Sequence, residues 1–105
     1  MVKPKSNSDG FHKQIIEAVL KLQNHEYEKS YKLIVIALSD NPDAPEPHNL
    51  LGIWFELNHD HETALRHYRA AYALDPTYKP ACKNIERICT HSSYDDQSYD
   101  FGNNT

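Results

Sequence analysis

Histidine is the residue here with the most chemistry to offer: seven stand in a chain of 105 residues. The densest cluster is His59-Asp60-His61-Glu62, with His25 at a comparable break upstream. Imidazole and carboxylate are ligands for zinc and other divalent ions. Side chains at i and i+2 converge on one ion only where the turn bends favourably, and His25 belongs to another segment. A His-rich metal-binding protein is therefore a remote alternative, and no metal or cofactor is expected. His67 falls on the outer side of a helix and is expected in solvent. Cys82 and Cys89 lie two helical turns apart, roughly 10 Å along the axis, too far to bridge. They read as reduced thiols, at least one of them buried in packing. A thiolate nucleophile needs a base beside it, and no spacing supplies one. The chain has no Gly-rich phosphate loop, nucleophile elbow or paired catalytic signature, so no enzyme is expected. Lys83 and Arg87 share one helix face a turn apart, where together they could hold a carboxylate.

These residues need helices to place them, and the chain supplies five. Residues 1–10 are polar, with Pro4 and Gly10, and read as a disordered leader. Phe11 to Gln23 has helical spacing and a wide apolar face through Phe11, Ile15, Ile16, Ala18, Val19, Leu20 and Leu22. Asn24 to Glu26 break it. A second helix runs from Tyr27 to Leu38 and ends at Asp40, Asn41 and Pro42. A third opens at Pro45 and Pro47, where first-turn N–H groups lack partners anyway. Asn58 to Asp60 form a turn, and Asp60 suits the N-cap of the fourth helix. A fifth begins near Thr77, with Pro80 in its first turn and a stripe of Ala81, Cys82, Ile85, Ile88 and Cys89. Residues 92–105 carry three Asp and no basic side chain, and read as a disordered acidic tail. The fold class is all-α, with one domain over 11–91 between the leader and the tail.

The stretch PEPHNLLGIWFELNHDHETALRHYRAAYALDPTY, residues 45–78, carries a stricter pattern. Leu51 and Gly52, then Phe55, Ala64, Tyr68, Ala71 and Pro76, follow the order of a helix–turn–helix repeat about 34 residues long. The segment closely resembles a tetratricopeptide repeat (TPR), with His48 at the Trp-like opening site. Small residues at Gly52 and Ala64 let antiparallel helices approach closely. One repeat upstream, over 11–44, Ala18 replaces Gly52, Ser30 replaces Ala64, Ile34 replaces Tyr68, Ala37 replaces Ala71 and Pro42 replaces Pro76. Glu17 and Lys21 stand where Leu51 and Phe55 do, which leaves the register of the first helix open. The helix over about 78–91 matches half of a third repeat, with Cys82 at the Trp-like site. In the family such a helix caps a short right-handed superhelix.

The resemblance implies a concave groove lined by the first helix of each repeat. His12, Ile15, Val19 and Leu22 would line it from the first repeat. Glu46, Asn49, Ile53, Glu56 and Leu57 would follow from the second, and Lys83 and Arg87 from the cap. Such a surface fits an amphipathic helix or extended peptide of a protein partner. On this reading Ile53→Asp abolishes partner binding and spares the helices. The plainer alternative is that Ile15 and Val19 are core and the two basic residues a solvated face. Family members that clamp the C-terminal carboxylate of chaperones do so with Lys, Asn and Arg. Ile15, Val19, Leu50, Pro80 and Asn84 stand at those sites here, so that ligand is not expected. A homodimer through the apolar face of the first helix is a second reading. In a third, the acidic tail folds onto Lys83 and Arg87 as a mask.

Lys and Arg total 11 against 15 Asp and Glu, a net charge of −4. That balance speaks against nucleic acid. No apolar run approaches the roughly 20 residues of a membrane span, and no apolar stretch follows the N-terminal lysines as in a secretory signal. A cytoplasmic location is expected.

Overall fold

A computed structural model describes residues 7–90 and 98–102 of the chain. The described residues form five helices and no strand: α1 (Asn7–Gln23), α2 (Tyr27–Asp40), α3 (Pro45–Leu57), α4 (His61–Leu74) and α5 (Lys79–Thr90). Asn7 to Gly10, expected in the leader, belong to α1. The rest of the leader, residue 91 of the expected domain, and residues 92–97 and 103–105 of the expected tail lie outside the described residues. Each helix packs on the next, and α3 also touches α1 and α5, so α1, α3 and α5 lie side by side with α2 and α4 behind them.

The connections show why the chain turns where it does. After α1, Glu26 N–H donates to the Lys21 carbonyl (2.9 Å) and His25 N–H to that of Leu22 (3.0 Å). After α3, Asp60 N–H donates to the Phe55 carbonyl (2.8 Å) and His59 N–H to that of Glu56 (2.9 Å). Both are Schellman-type ends, which require a left-handed residue just past the helix. That residue is His25 (φ 62°) in one and His59 (φ 66°) in the other. Histidine tolerates this conformation better than most side chains. The connections from α2 and α4 also match: Ala44 N–H reaches the Asn41 carbonyl, and Tyr78 N–H that of Asp75. The same backbone bonds thus recur one repeat length apart. Helix α5 opens at Lys79 rather than near Thr77, because the Asp75 carboxylate takes both the Thr77 N–H (3.0 Å) and hydroxyl (2.6 Å).

Packing follows residue size. Ala18, Ser30, Ile34 and Ala37 in the first hairpin are fully buried, as are Ala64, Tyr68 and Ala71 in the second. A Cβ on Gly52 would overlap the Tyr68 ring, so no other residue fits there without movement. The hairpins join through Trp54, whose indole N–H donates to the Tyr27 carbonyl (2.8 Å) and whose ring lies 4.8 Å from that of Tyr31. Helix α1 is not apolar inward all round: Ala18, Val19 and Leu22 are buried, whereas Ile16 and Leu20 are 50% and 53% exposed. No described helix is long and apolar enough to cross a membrane.

Candidate functional site

The face shared by α1, α3 and α5 is where structure and sequence meet most closely. Asn49, Ile53 and Glu56 fall on one side of α3 by their i, i+4, i+7 spacing, and Asn84 and Arg87 do so on α5. Against them lies the non-helical segment Ser98–Gly102. Asp100 is held by its backbone. Its N–H donates to Asn84 Oδ1 (2.9 Å), and its carbonyl accepts from Asn49 Nδ2 and Asn84 Nδ2 (3.0 Å each). Asn84 Nδ2 also donates to Asn49 Oδ1 (2.9 Å), and Asn84 Oδ1 accepts from Arg87 Nη2 (3.1 Å). Every donor and acceptor position of the Asn84 amide is therefore in use. Tyr99 lies under the Arg87 guanidinium, 4.8 Å from its ring centre, and Asp100 pairs with Lys83 at 3.8 Å.

Beneath the amide pair runs a buried ionic network. Arg87 Nη1 donates to Glu56 Oε2 (3.0 Å), Arg87 Nη2 donates to Glu56 Oε1, and the Tyr68 hydroxyl donates to Glu56 Oε1 (2.6 Å). Burial, then the neighbouring Glu56 carboxylate, push the Tyr68 hydroxyl well above the usual tyrosine range. Desolvation alone would lower the Arg87 pKa, but the Glu56 hydrogen bonds and charge outweigh it and the net shift is upward. Both effects keep Arg87 charged and Tyr68 protonated, so the network persists across the physiological range. Neither Arg87 nor Tyr68 is poised to move a proton near neutrality.

The residues expected to line the groove divide sharply. Val19, Leu22, Asn49 and Ile53 are 2% exposed or less, and Glu56 and Arg87 are 5% and 8%. Ile53 belongs to the core cluster, so Ile53→Asp would unfold the chain rather than test binding. Arg87 cannot hold a partner's carboxylate, because Glu56 already occupies its guanidinium. Lys83 is the exposed cation of the pair, His12 is exposed, and Ile15 is half-buried. His12 and Ile15 help line a cavity of about 390 Å³ between α1 and Phe101, together with Phe11, Ile16, Val19 and Leu20. Residues 98–102, expected in a disordered tail, instead pack: Tyr99 and Phe101 lie against the core and Asp100 is largely covered, its side chain 12% exposed. Asp100 meets Lys83 and Tyr99 meets Arg87, as the third reading of the tail has it. Asn84 is the central clamp, and nothing local in the sequence marks it.

Other expected sites dissolve. His25 and His59 occupy turn positions for backbone reasons, and the described residues bring no three His, Cys, Asp or Glu side chains together in a metal-ligating group. His67 is not solvated: it is half-buried, stacks on Phe55 (5.4 Å, 7°) and meets His48 Nδ1 to Nδ1 at 3.1 Å. One ring must donate and the other accept, which needs at least one neutral imidazole. Burial lowers both pKa values, and for His67 the charge on His48 adds to it. Cys82 is half-buried and Cys89 exposed, so neither is a packed interior thiol. No family model, curated protein or solved structure matches the chain.

Proposed function

We propose that the chain is a short TPR-like module that binds a segment of another protein across the α1, α3 and α5 face, without catalysis. One observation carries the reading: Asn49 and Asn84 hold both the N–H and the carbonyl of Asp100. A face that grips a chain by its backbone is equipped for peptide recognition, since such bonds are available from nearly any segment. The recurring turn bonds and the Gly52–Tyr68 fit support the repeat reading. The free thiols suit a reducing compartment, and we place the protein in the cytoplasm.

Selection of displayed random peptides on the full chain tests this. Enriched peptides should lose at least tenfold in affinity for Asn84→Ala and none for Cys89→Ser. If nothing is enriched, or if binding ignores Asn84, the reading fails. Self-association through α1 is a second reading, favoured by the exposure of Ile16 and Leu20. Light scattering that finds a strict monomer at high concentration removes it.

A further inference from the structure

We propose that Tyr99–Gly102 is a displaceable internal occupant, and that the partner segment it stands in for is aromatic–acidic–aromatic with a large apolar side chain just beyond. This rests on the peptide-binding reading above and specifies its ligand.

The chemistry can be read position by position. At Asp100 the Asn49 and Asn84 bonds go to backbone atoms, so they fix register and select little except against proline. Selection comes from the side chains around them. The preceding residue lies under the Arg87 guanidinium, a place that favours an aromatic ring. The central residue faces Lys83, which favours a carboxylate. The next, Phe101, sits edge-on to Tyr99 (6.2 Å, 87°) and packs on the core. Both rings pack against the core, and the acidic group between them is largely covered too, its Oδ1 accepting from the Gly102 N–H (3.0 Å) while it pairs with Lys83. At Gly102 (φ 83°) a Cβ would meet the Tyr78 hydroxyl, so glycine is the residue that fits.

One feature marks the segment as displaceable. Its ion pair joins Asp100 to a lysine whose side chain is 64% exposed, and such pairs add little. The cavity beside Phe101 is lined on α1 by Phe11, Ile15, Ile16, Val19 and Leu20, with His12, Glu46 and Tyr78 as its polar members. The residue after Gly102 is Asn103, which is polar. A partner carrying leucine at that position gains an apolar contact that asparagine does not make, worth roughly tenfold in affinity.

Fluorescence anisotropy with labelled peptides QSYDFGNN and QSYDFGLN, on the full chain and on its Tyr99→Ser/Phe101→Ser variant, tests the proposal. QSYDFGLN should bind the variant at least tenfold more tightly than it binds the intact chain, and more tightly than QSYDFGNN does. Adding Asn84→Ala to the variant should abolish binding. Should the double variant lose its helical circular dichroism, Asp100→Pro releases the segment by removing its N–H and gives the same comparison. Equal affinity for intact and released chains overturns the mask. No binding of QSYDFGLN to a folded, released chain overturns the ligand class. An intact chain that is oligomeric, and becomes monomeric in the double variant, assigns the segment to a second copy and also overturns it. The failures separate: Asn84-dependent peptides of other chemistry, selected on the released chain, sink this ligand and keep the peptide-binding face. Selection that returns nothing sinks both.

Discussion

The two helical hairpins share a backbone plan and differ in what they do with it. Turn bonds at His25 recur at His59, and those at Asn41 recur at Asp75. Small residues meet at the crossing in both. Yet α1 presents Ile15, Val19 and Leu22 where α3 presents Asn49, Ile53 and Glu56. The reason lies on the partner helices. Tyr68 brings a hydroxyl to Glu56, and Arg87 on α5 neutralises it, whereas Ile34 in the first hairpin offers no polar atom. A buried carboxylate is tolerable only where such partners exist. One face therefore grades from apolar at α1 to polar at α3 and α5. The bound segment follows that grade, with Asp100 at the polar end and Phe101 toward α1.

The strongest way to break this contrast is Arg87→Ala, which leaves Glu56 buried and uncompensated. Urea denaturation should show a loss of about 3–5 kcal/mol. Replacing the network with apolar groups through Glu56→Leu, Tyr68→Phe and Arg87→Met together makes the second hairpin resemble the first and should recover most of that loss. A full loss in the triple variant would mean the packing, not the charge, matters.

Gly52→Ala sharpens the difference at the crossing. Alanine is accommodated at Ala18 opposite Ile34, but beside Tyr68 it should cost about 1–3 kcal/mol. In a Tyr68→Ile background the same change should be nearly free, and a coupling below about 0.5 kcal/mol would contradict the fit. The helix starts differ too. Asp60 accepts from the Thr63 N–H (3.1 Å), which holds the Asp60 carboxyl below its usual range, while Glu26 makes no side-chain cap. Asp60→Ala should lower the melting temperature measurably, and Glu26→Ala should lower it less.

The smallest expected effect belongs to the second hairpin alone. His48 and His67 titrate below the ordinary value of 6.5 when folded. The unfolded chain therefore takes up protons first as pH falls, and stability drops. Their contribution is complete above about pH 6.5 and is lost as pH falls through the folded values. Melting temperature should decline modestly from about pH 7.5 to about pH 5, and His48→Gln/His67→Gln should flatten the decline.

Much of the fold was legible because local size rules set it. Gly52 and Ala64 announced a close crossing, Asp60 a cap, and Pro42 and Pro76 the ends of helices. The candidate face was legible only in part. The repeat resemblance grouped Asn49, Ile53 and Glu56 on one side of α3, but nothing local said that Glu56 meets Arg87, because neither has an opposite charge a turn away on its own helix. The histidines drew the eye toward metal chemistry when two of them serve left-handed turns. Ser98 to Gly102 read as part of a disordered tail, or in a third reading as a mask over Lys83 and Arg87, because residues 92–105 together are rich in Asp, Asn and Ser. Here two asparagines on distant helices satisfy its backbone, a juxtaposition that only the folded chain reveals.

Hydrogen exchange at the Asp100 amide tests the peptide-gripping face most directly. In the intact chain that amide should exchange far more slowly than in a free peptide, because Asn84 Oδ1 accepts its hydrogen. Saturating QSYDFGLN, or the Asn84→Ala substitution, should return it to the free-peptide rate. Exchange at the free-peptide rate in the intact chain alone would contradict the clamp and the function built on it.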